Sequence, residues 1–371
     1  MSSIDNLMLY NRRQFLIFTG GLIGIGVTKV GHQLLNKSQP NSSENIISET
    51  PATIPTNQPI AIAPEGLFAP IKGDVRIVVI SDLNGPYGST DYDPEVDKAI
   101  ALTPQWQPDL LLCGGDMVAG QKRSLTKQQI EAMWAAFDVH VSAPLRQANI
   151  PLGFTIGNHD ASGSISGGKY TFEQERNLAS AYWNNPNHNP GLNFIDKANF
   201  PFYYSFQQQD IFYLVWDAST HIIDQKQLTW VENSLNSSPA KQAKLRLVIG
   251  HLPLHPVTVG RNTPGNYMAE GEKLQSILEK YDVHTYISGH HHGYYPGKKG
   301  QLELLNSGAL GGGPRKLLNS NLSPQKTLTV VDISLDSQET IYTTYNMKTL
   351  QLINIQTLPK SIDKIIRKDL S

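Results

Sequence analysis

"VRIVVISDLN", residues 75–84, is an almost unbroken apolar run that stops at Asp82 and Asn84. Valine and isoleucine without alternation fit a strand covered on both faces. A carboxylate at the carboxyl end of such a strand stands where open α/β sheets gather their ligands. Five more runs share this form: "PDLLLCGGD" (108–116), "IPLGFTIGNHD" (150–160), "DIFYLVWDAS" (210–219), "LRLVIGH" (245–251) and "VHTYISGHHH" (283–292). Helical patterns lie between many of them, the longest being "TKQQIEAMWAAFDVHVSAPLRQA" (126–148). Past residue 300 the alternation ends, and "LELLNSG", "KTLTVVDISLD", "ETIYTTYNM" and "LQLINIQTL" read as antiparallel strands. The fold class expected is α/β, with two packed mixed β-sheets flanked by helices.

Composition narrows the functions. The chain has 371 residues, a formal net charge of −1 and a single cysteine, Cys113. No basic run supplies the footprint that nucleic-acid binding needs, so no nucleic-acid scaffold role is expected. One cysteine excludes an internal disulfide, and its apolar neighbours make Cys113 a core residue. Near the N-terminus, "NRRQFLIFTGGLIGIGV" places Arg12 and Arg13 before a short apolar stretch. It resembles a twin-arginine export signal, the competing reading being a buried helix. The expectation is an exported protein, periplasmic or in an equivalent compartment, with residues 15–30 a possible membrane anchor. The export machinery would then be one partner. Residues 36–66 are rich in Ser, Asn, Thr and Pro and read as a flexible linker. The expected domains are 1–35 (signal or anchor), 36–66 (linker), 67–357 (folded domain) and 358–371 (tail).

The polar residues at the run ends carry the chemistry. They are "SDLN" (81–84), "GGDMVAG" (114–120), "GNHD" (157–160), "GHLPLHP" (250–256) and "GHHH" (289–292). Alone, each has an ordinary explanation: Asp82 a cap, Asp116 or Asn158 a turn residue, His251 a satisfied core histidine. Five in one order resemble the calcineurin-like metallophosphoesterase superfamily and its four-layer sandwich. The resemblance covers roughly residues 70–350. It implies two divalent or trivalent ions (Fe, Mn or Zn) bridged by Asp116. Asp82, His292 and position 84 would complete one site; Asn158, His251 and His290 would complete the other. The catalytic residues implied are His159, assisting the leaving group, and Asp160, orienting it. A hydroxide between two ions would attack a phosphate ester, whether monoester or diester. Charge supports this: two carboxylates against about four positive charges leave a site that favours an anion.

Asn84 departs from the pattern, which has histidine there. Three readings are open: coordination through the amide oxygen, a hold on a bound water, or a disabled site in a domain that has become a binding module. Purple acid phosphatases use tyrosine in place of that histidine, and Tyr87 lies close by in the chain. His291 should face away from His290 and His292 by strand alternation. Tyr170, Tyr182 and Trp183 either stack on a substrate or cover the core. Arg261, Arg315, His221 and His255 are further candidates for substrate contact.

Overall fold

The computed structural model describes residues 59–371. The expected export segment (1–35) and most of the expected linker (36–66) lie outside the described residues. Among the described residues, no helix is long and apolar enough to cross a membrane.

The opening run is a strand, Val75–Ile80, buried at every position. It pairs in parallel with Leu110–Cys113, which pairs in parallel with Leu152–Phe154. On its other side Thr327–Ile333 and then Thr340–Asn346 add antiparallel strands, giving a five-stranded sheet. Arg76 is the one charged residue of the opening strand, and it is fully buried. Every donor of its guanidinium has an acceptor. Asp332, its direct cross-strand partner, accepts from Nε at 2.8 Å and Nη2 at 3.0 Å. The carbonyls of Ile62, Trp106 and Pro70 take the remaining N–H groups at 2.9–3.1 Å.

A nine-stranded sheet forms the second layer. Its centre is parallel: Ile211–Val215, Leu245–Ile249, Thr285–Ser288 and Leu302–Ser307. Antiparallel strands Tyr203–Gln208 and Phe194–Asn199 extend one edge, and Tyr294–Lys299 the other. Side chains from both sheets, among them Ile77, Leu112, Phe206, Tyr213 and Leu247, meet in one buried cluster. Helices cover the outer faces. Lys127–Phe137 starts at a capping box, with Thr126 Oγ1 accepting Gln129 N–H and the Gln129 amide oxygen accepting Thr126 N–H. The long helical pattern does not continue straight from there: a π-helical turn at Asp138–Ser142 precedes a short helix, Ala143–Gln147.

Four expectations change. Leu302–Ser307 is antiparallel to Tyr294–Lys299 but parallel to Thr285–Ser288, because a hairpin at Gly300 folds it back between the two. "LQLINIQTL" makes only a bridge, Tyr345 to Leu352, and a 3-10 turn at Ile355–Thr357. The expected tail belongs to the fold: Ser361–Ile362 and Ile365–Arg367 pair with each other and extend the large sheet through Tyr294–Lys299. Ile362 and Ile365 are buried, and Arg367 donates to the Leu358 carbonyl at 2.7 Å. The folded part also begins before residue 67, since Ala61 bridges Ile71 and Ile62 holds Arg76.

Candidate metal centre

Five parallel strands end at one place. Asp82, Asp116 and Asn158 follow the three parallel strands of the small sheet. His251, His290 and His292 follow two central strands of the large one. The chain turns sharply at these residues. Asp82, Asp116, His290 and His292 all have left-handed backbone, φ 53–60°. Side chains other than glycine adopt that region at a cost, and such positions concentrate at functional sites. The strand has already ended at Ser288, so His290 and His292 share a side through this backbone and not through strand alternation.

Two triads of ligand atoms result: Asp116, His251 and His290; and Asp82, Asp116 and His292. Within each, the atoms lie within 4.8 Å of one another, and Asp116 belongs to both. In the first, His251 Nε2 is 3.2 Å from Asp116 Oδ2 and 3.0 Å from Asn158 Oδ1. His290 Nδ1 is 2.8 Å from the same amide oxygen. In the second, His292 Nε2 is 3.2 Å from Asp82 Oδ1. The outer atoms are held as metal-binding imidazoles usually are. His251 Nδ1 meets the Gly114 carbonyl at 2.7 Å, and His292 Nδ1 meets that of Gly313 at 2.9 Å. Asn158 Nδ2 donates to Gln121 Oε1 at 2.8 Å, which turns the amide oxygen inward. Asp82 accepts from Ser81 Oγ at 2.7 Å and from the His290 N–H at 3.1 Å. Asn84 is nearly buried, with its N–H on the Asp116 carbonyl at 3.2 Å.

The charges of these groups are strongly coupled. Burial would raise the Asp116 carboxyl, but the charges of His251 and His159 hold it below its ordinary value. Burial opposes the charged form of His251, yet Asp116 lifts it to about 9. His290 is pushed well down by burial and by the charges of His251 and Arg261. A buried cluster of carboxylate, amide oxygen and imidazole nitrogen converging on a few ångströms fits metal cations. Glycine makes the convergence possible: a Cβ on Gly157 would collide with the Asp116 carboxylate, and one on Gly115 would lie 2.7 Å from His251 Nδ1.

The two expected catalytic residues separate in role. His159 N–H donates to Asp116 Oδ1 at 2.8 Å, its Nδ1 meets the Gly120 carbonyl at 3.2 Å, and its ring lies 5.1 Å from that of Tyr87. Asp160 does not orient the His159 ring. Its carboxylate accepts the N–H groups of Met117 (2.7 Å), Val118 (2.9 Å) and Gly157 (2.7 Å) instead. It therefore ties the Asp116 loop to the Asn158 loop. Burial and the charge of Asp116 push its carboxyl up to about 7.

His291 is buried away from the triads, Nδ1 accepting Val257 N–H at 3.1 Å and Nε2 donating to the Asn266 carbonyl at 3.0 Å. Tyr182 and Trp183 are core residues: Tyr182 stacks on Trp134 at 4.8 Å and Trp183 on Phe154 at 3.8 Å. Tyr170 is exposed under the Arg176 guanidinium. His255 bonds Gln275 at 2.9 Å, and His221 meets its neighbour Thr220. Gln121 and Glu175 were not picked out from sequence. The Glu175 carboxylate accepts the N–H groups of Gln121 (2.9 Å) and Lys122 (3.3 Å), fixing the loop that holds Asn158 and His159. An isolated Glu on a helix carries no sign of such a contact.

Such a fold and site define a class: α/β proteins that gather two ligand triads around a shared carboxylate. Residues 75–294, more than half of the 371, match the family described as calcineurin-like phosphoesterase, and the chain belongs to that family. No curated protein matches the sequence significantly. Among solved structures, purple acid phosphatase PPD1 from yellow lupin (Lupinus luteus) seeds is similar with a TM-score of 0.53 and 15% identity, over 76% of this chain and 52% of that one. The chain thus spans about half the length of the lupin protein. GAP50, the anchor in the inner membrane complex of Plasmodium, is similar with a TM-score of 0.51 and 13% identity, over 76% and 87% of the two chains. At these identities the likeness concerns the fold: mixed sheets flanked by helices.

Proposed function

We propose that the chain is a metal-dependent hydrolase of phosphate esters. The observation that carries this reading is the pair of buried triads meeting at Asp116. Asp82, His292 and Asp116, with the Asn84 amide, would hold one ion; Asp116, Asn158, His251 and His290 would hold the other. Bound divalent ions supply a water nucleophile of lowered pKa and offset charge on the phosphoryl oxygens. The protein groups do the rest. With the Gly120 carbonyl accepting Nδ1–H of His159, the doubly protonated ring would give its Nε2 proton to the departing alkoxide and be left as the neutral imidazole that still holds Nδ1–H on Gly120. The backbone bond from His159 to Asp116 keeps that ring beside the shared ligand. Asp160 acts on catalysis by holding two ligand loops together.

Metal analysis with an aryl phosphate assay tests the reading. The purified chain should carry close to two equivalents of Fe, Mn or Zn and turn the ester over. Asp116→Asn should cost both metal and turnover, whereas His159→Ala should cost turnover and spare metal. A chain that binds no metal and releases no phosphate is a binding module, a reading whose only support is Asn84. We also propose, from Arg12 and Arg13 and the apolar stretch after them, that the protein is exported and tethered by residues 15–30. Fractionation of cells after Arg12→Lys/Arg13→Lys decides this, with retention in the cytoplasm expected.

A further inference from the structure

Two arginines bonded to histidines of the triads, one through its guanidinium and one through its backbone, have no carboxylate partner among the described residues. Ion pairs among the described residues engage Arg76, Arg146, Arg176, Arg246 and Arg367, but neither Arg261 nor Arg315. Arg261 Nη1 donates to His290 Nε2 at 2.7 Å and reaches Asn266 Oδ1 at 3.4 Å. Arg315 lies two residues after Gly313, whose carbonyl holds His292, and its own N–H donates to the His292 carbonyl at 2.9 Å. Its Nε is buried and has no hydrogen-bond partner. A Cβ on Gly260 would lie 3.7 Å from Arg315 Nη1, which sets the Arg315 guanidinium against the segment that carries Arg261. Each repels the other: burial and then the charge of Arg315 hold the Arg261 guanidinium below its ordinary value.

The segments that carry these arginines are built, not loose. Val259 N–H donates to the Lys316 carbonyl and Leu318 N–H to the Val257 carbonyl, both at 2.9 Å. Thr258 bridges Leu317, and Thr258 Oγ1 donates to the His291 carbonyl at 3.0 Å. Together with the two ring bonds of His291, these contacts lock both arginine-bearing loops to the segment that carries His290 and His292. Half-buried cations left unpaired on a rigid frame are destabilising unless an anion completes them. An imidazole that binds metal through one nitrogen keeps its proton on the other, and then offers no acceptor to a guanidinium. If His290 held a metal ion, Arg261 would lose this acceptor.

We propose that Arg261 and Arg315 form a second anion subsite beside the triads, and that the substrate carries two neighbouring phosphoryl groups. The guanidinium fork suits phosphate oxygens, and two such forks next to a cationic centre select a polyanion over a monoester of a neutral alcohol. This deepens the hydrolase reading and rests on it.

Calorimetric titration of the full chain, metal-loaded and in excess metal, compares orthophosphate with methylenediphosphonate, an uncleavable pair of phosphoryl groups. The wild type should bind the diphosphonate about tenfold or more tightly than orthophosphate. Arg315→Gln and Arg261→Gln should each cut that ratio severalfold, with Arg315→Lys keeping part of it. Equal binding of the two anions by the wild type overturns the proposal, whatever the variants do. So does an unchanged ratio in both Gln variants that melt like the wild type. Preference without ester turnover keeps the subsite and defeats the hydrolase reading; turnover without preference does the reverse.

Discussion

Glu175→Gln separates a titrating carboxyl from the loop it supports. The side chain is 3% exposed and has no ion-pair partner among the described residues. Burial pushes its carboxyl up from 4.5 to about 7. The folded protein then keeps a proton that the unfolded chain releases between those values. The unfolded state binds fewer protons there, so this contribution to stability is present below pH 4.5 and is lost as pH rises through 7. At about 1.36 kcal/mol per unit, the full swing is roughly 3 kcal/mol. Glutamine keeps an oxygen for the Gln121 N–H at 2.9 Å and gives up the longer bond to Lys122 at 3.3 Å. The variant should be the less stable protein near pH 4.5 and the more stable one near pH 8. Urea unfolding across that range measures the difference directly. A wild-type-minus-variant difference constant to within about 0.5 kcal/mol, near the extrapolation error, would refute the reasoning.

Asp332→Ala strands the buried Arg76 guanidinium and should cost about 3–5 kcal/mol in guanidinium unfolding. Replacing both partners with apolar residues should recover much of that loss. Gly157→Ala drives a methyl group into the Asp116 carboxylate; metal content should fall sharply while far-ultraviolet circular dichroism stays near wild type. Trp183→Ala should cost about 3–5 kcal/mol of stability and leave substrate KM unchanged, because the ring packs on Phe154 in the core. Chelator should lower the melting temperature of the loaded protein, and the shift should grow with the logarithm of added metal when metal is restored.

The parallel strands were legible because burial on both faces leaves continuous apolar runs, and the site was legible because those runs stop at Asp82, Asp116, Asn158, His251 and His290. The structure brings Asp82, Asp116, His251, His290 and His292 into two groups of ligand atoms that share Asp116. What stayed hidden depends on contacts between distant segments. Glu175 reaches a loop 54 residues earlier, and Asp160 spends its oxygens on backbone N–H groups 43 and 42 residues away. Neither choice is encoded in local pattern. Tyr182 and Trp183 show a further ambiguity: an aromatic pair in a Gly- and Asn-rich segment looks the same in sequence whether it meets a base or Trp134 and Phe154. The terminal strands were missed because two short segments, Ser361–Ile362 and Ile365–Arg367, show too few residues for a period to emerge.

The left-handed backbone at Asp82, Asp116, His290 and His292 governs how mutants of this centre should be interpreted. Asparagine tolerates that conformation about as well as aspartate, while alanine does not. Asp82→Asn and Asp116→Asn thus alter charge with the main chain left at ease. An alanine scan of the same four positions would mix donor loss with a bend the new residue resists, and would exaggerate the worth of each ligand.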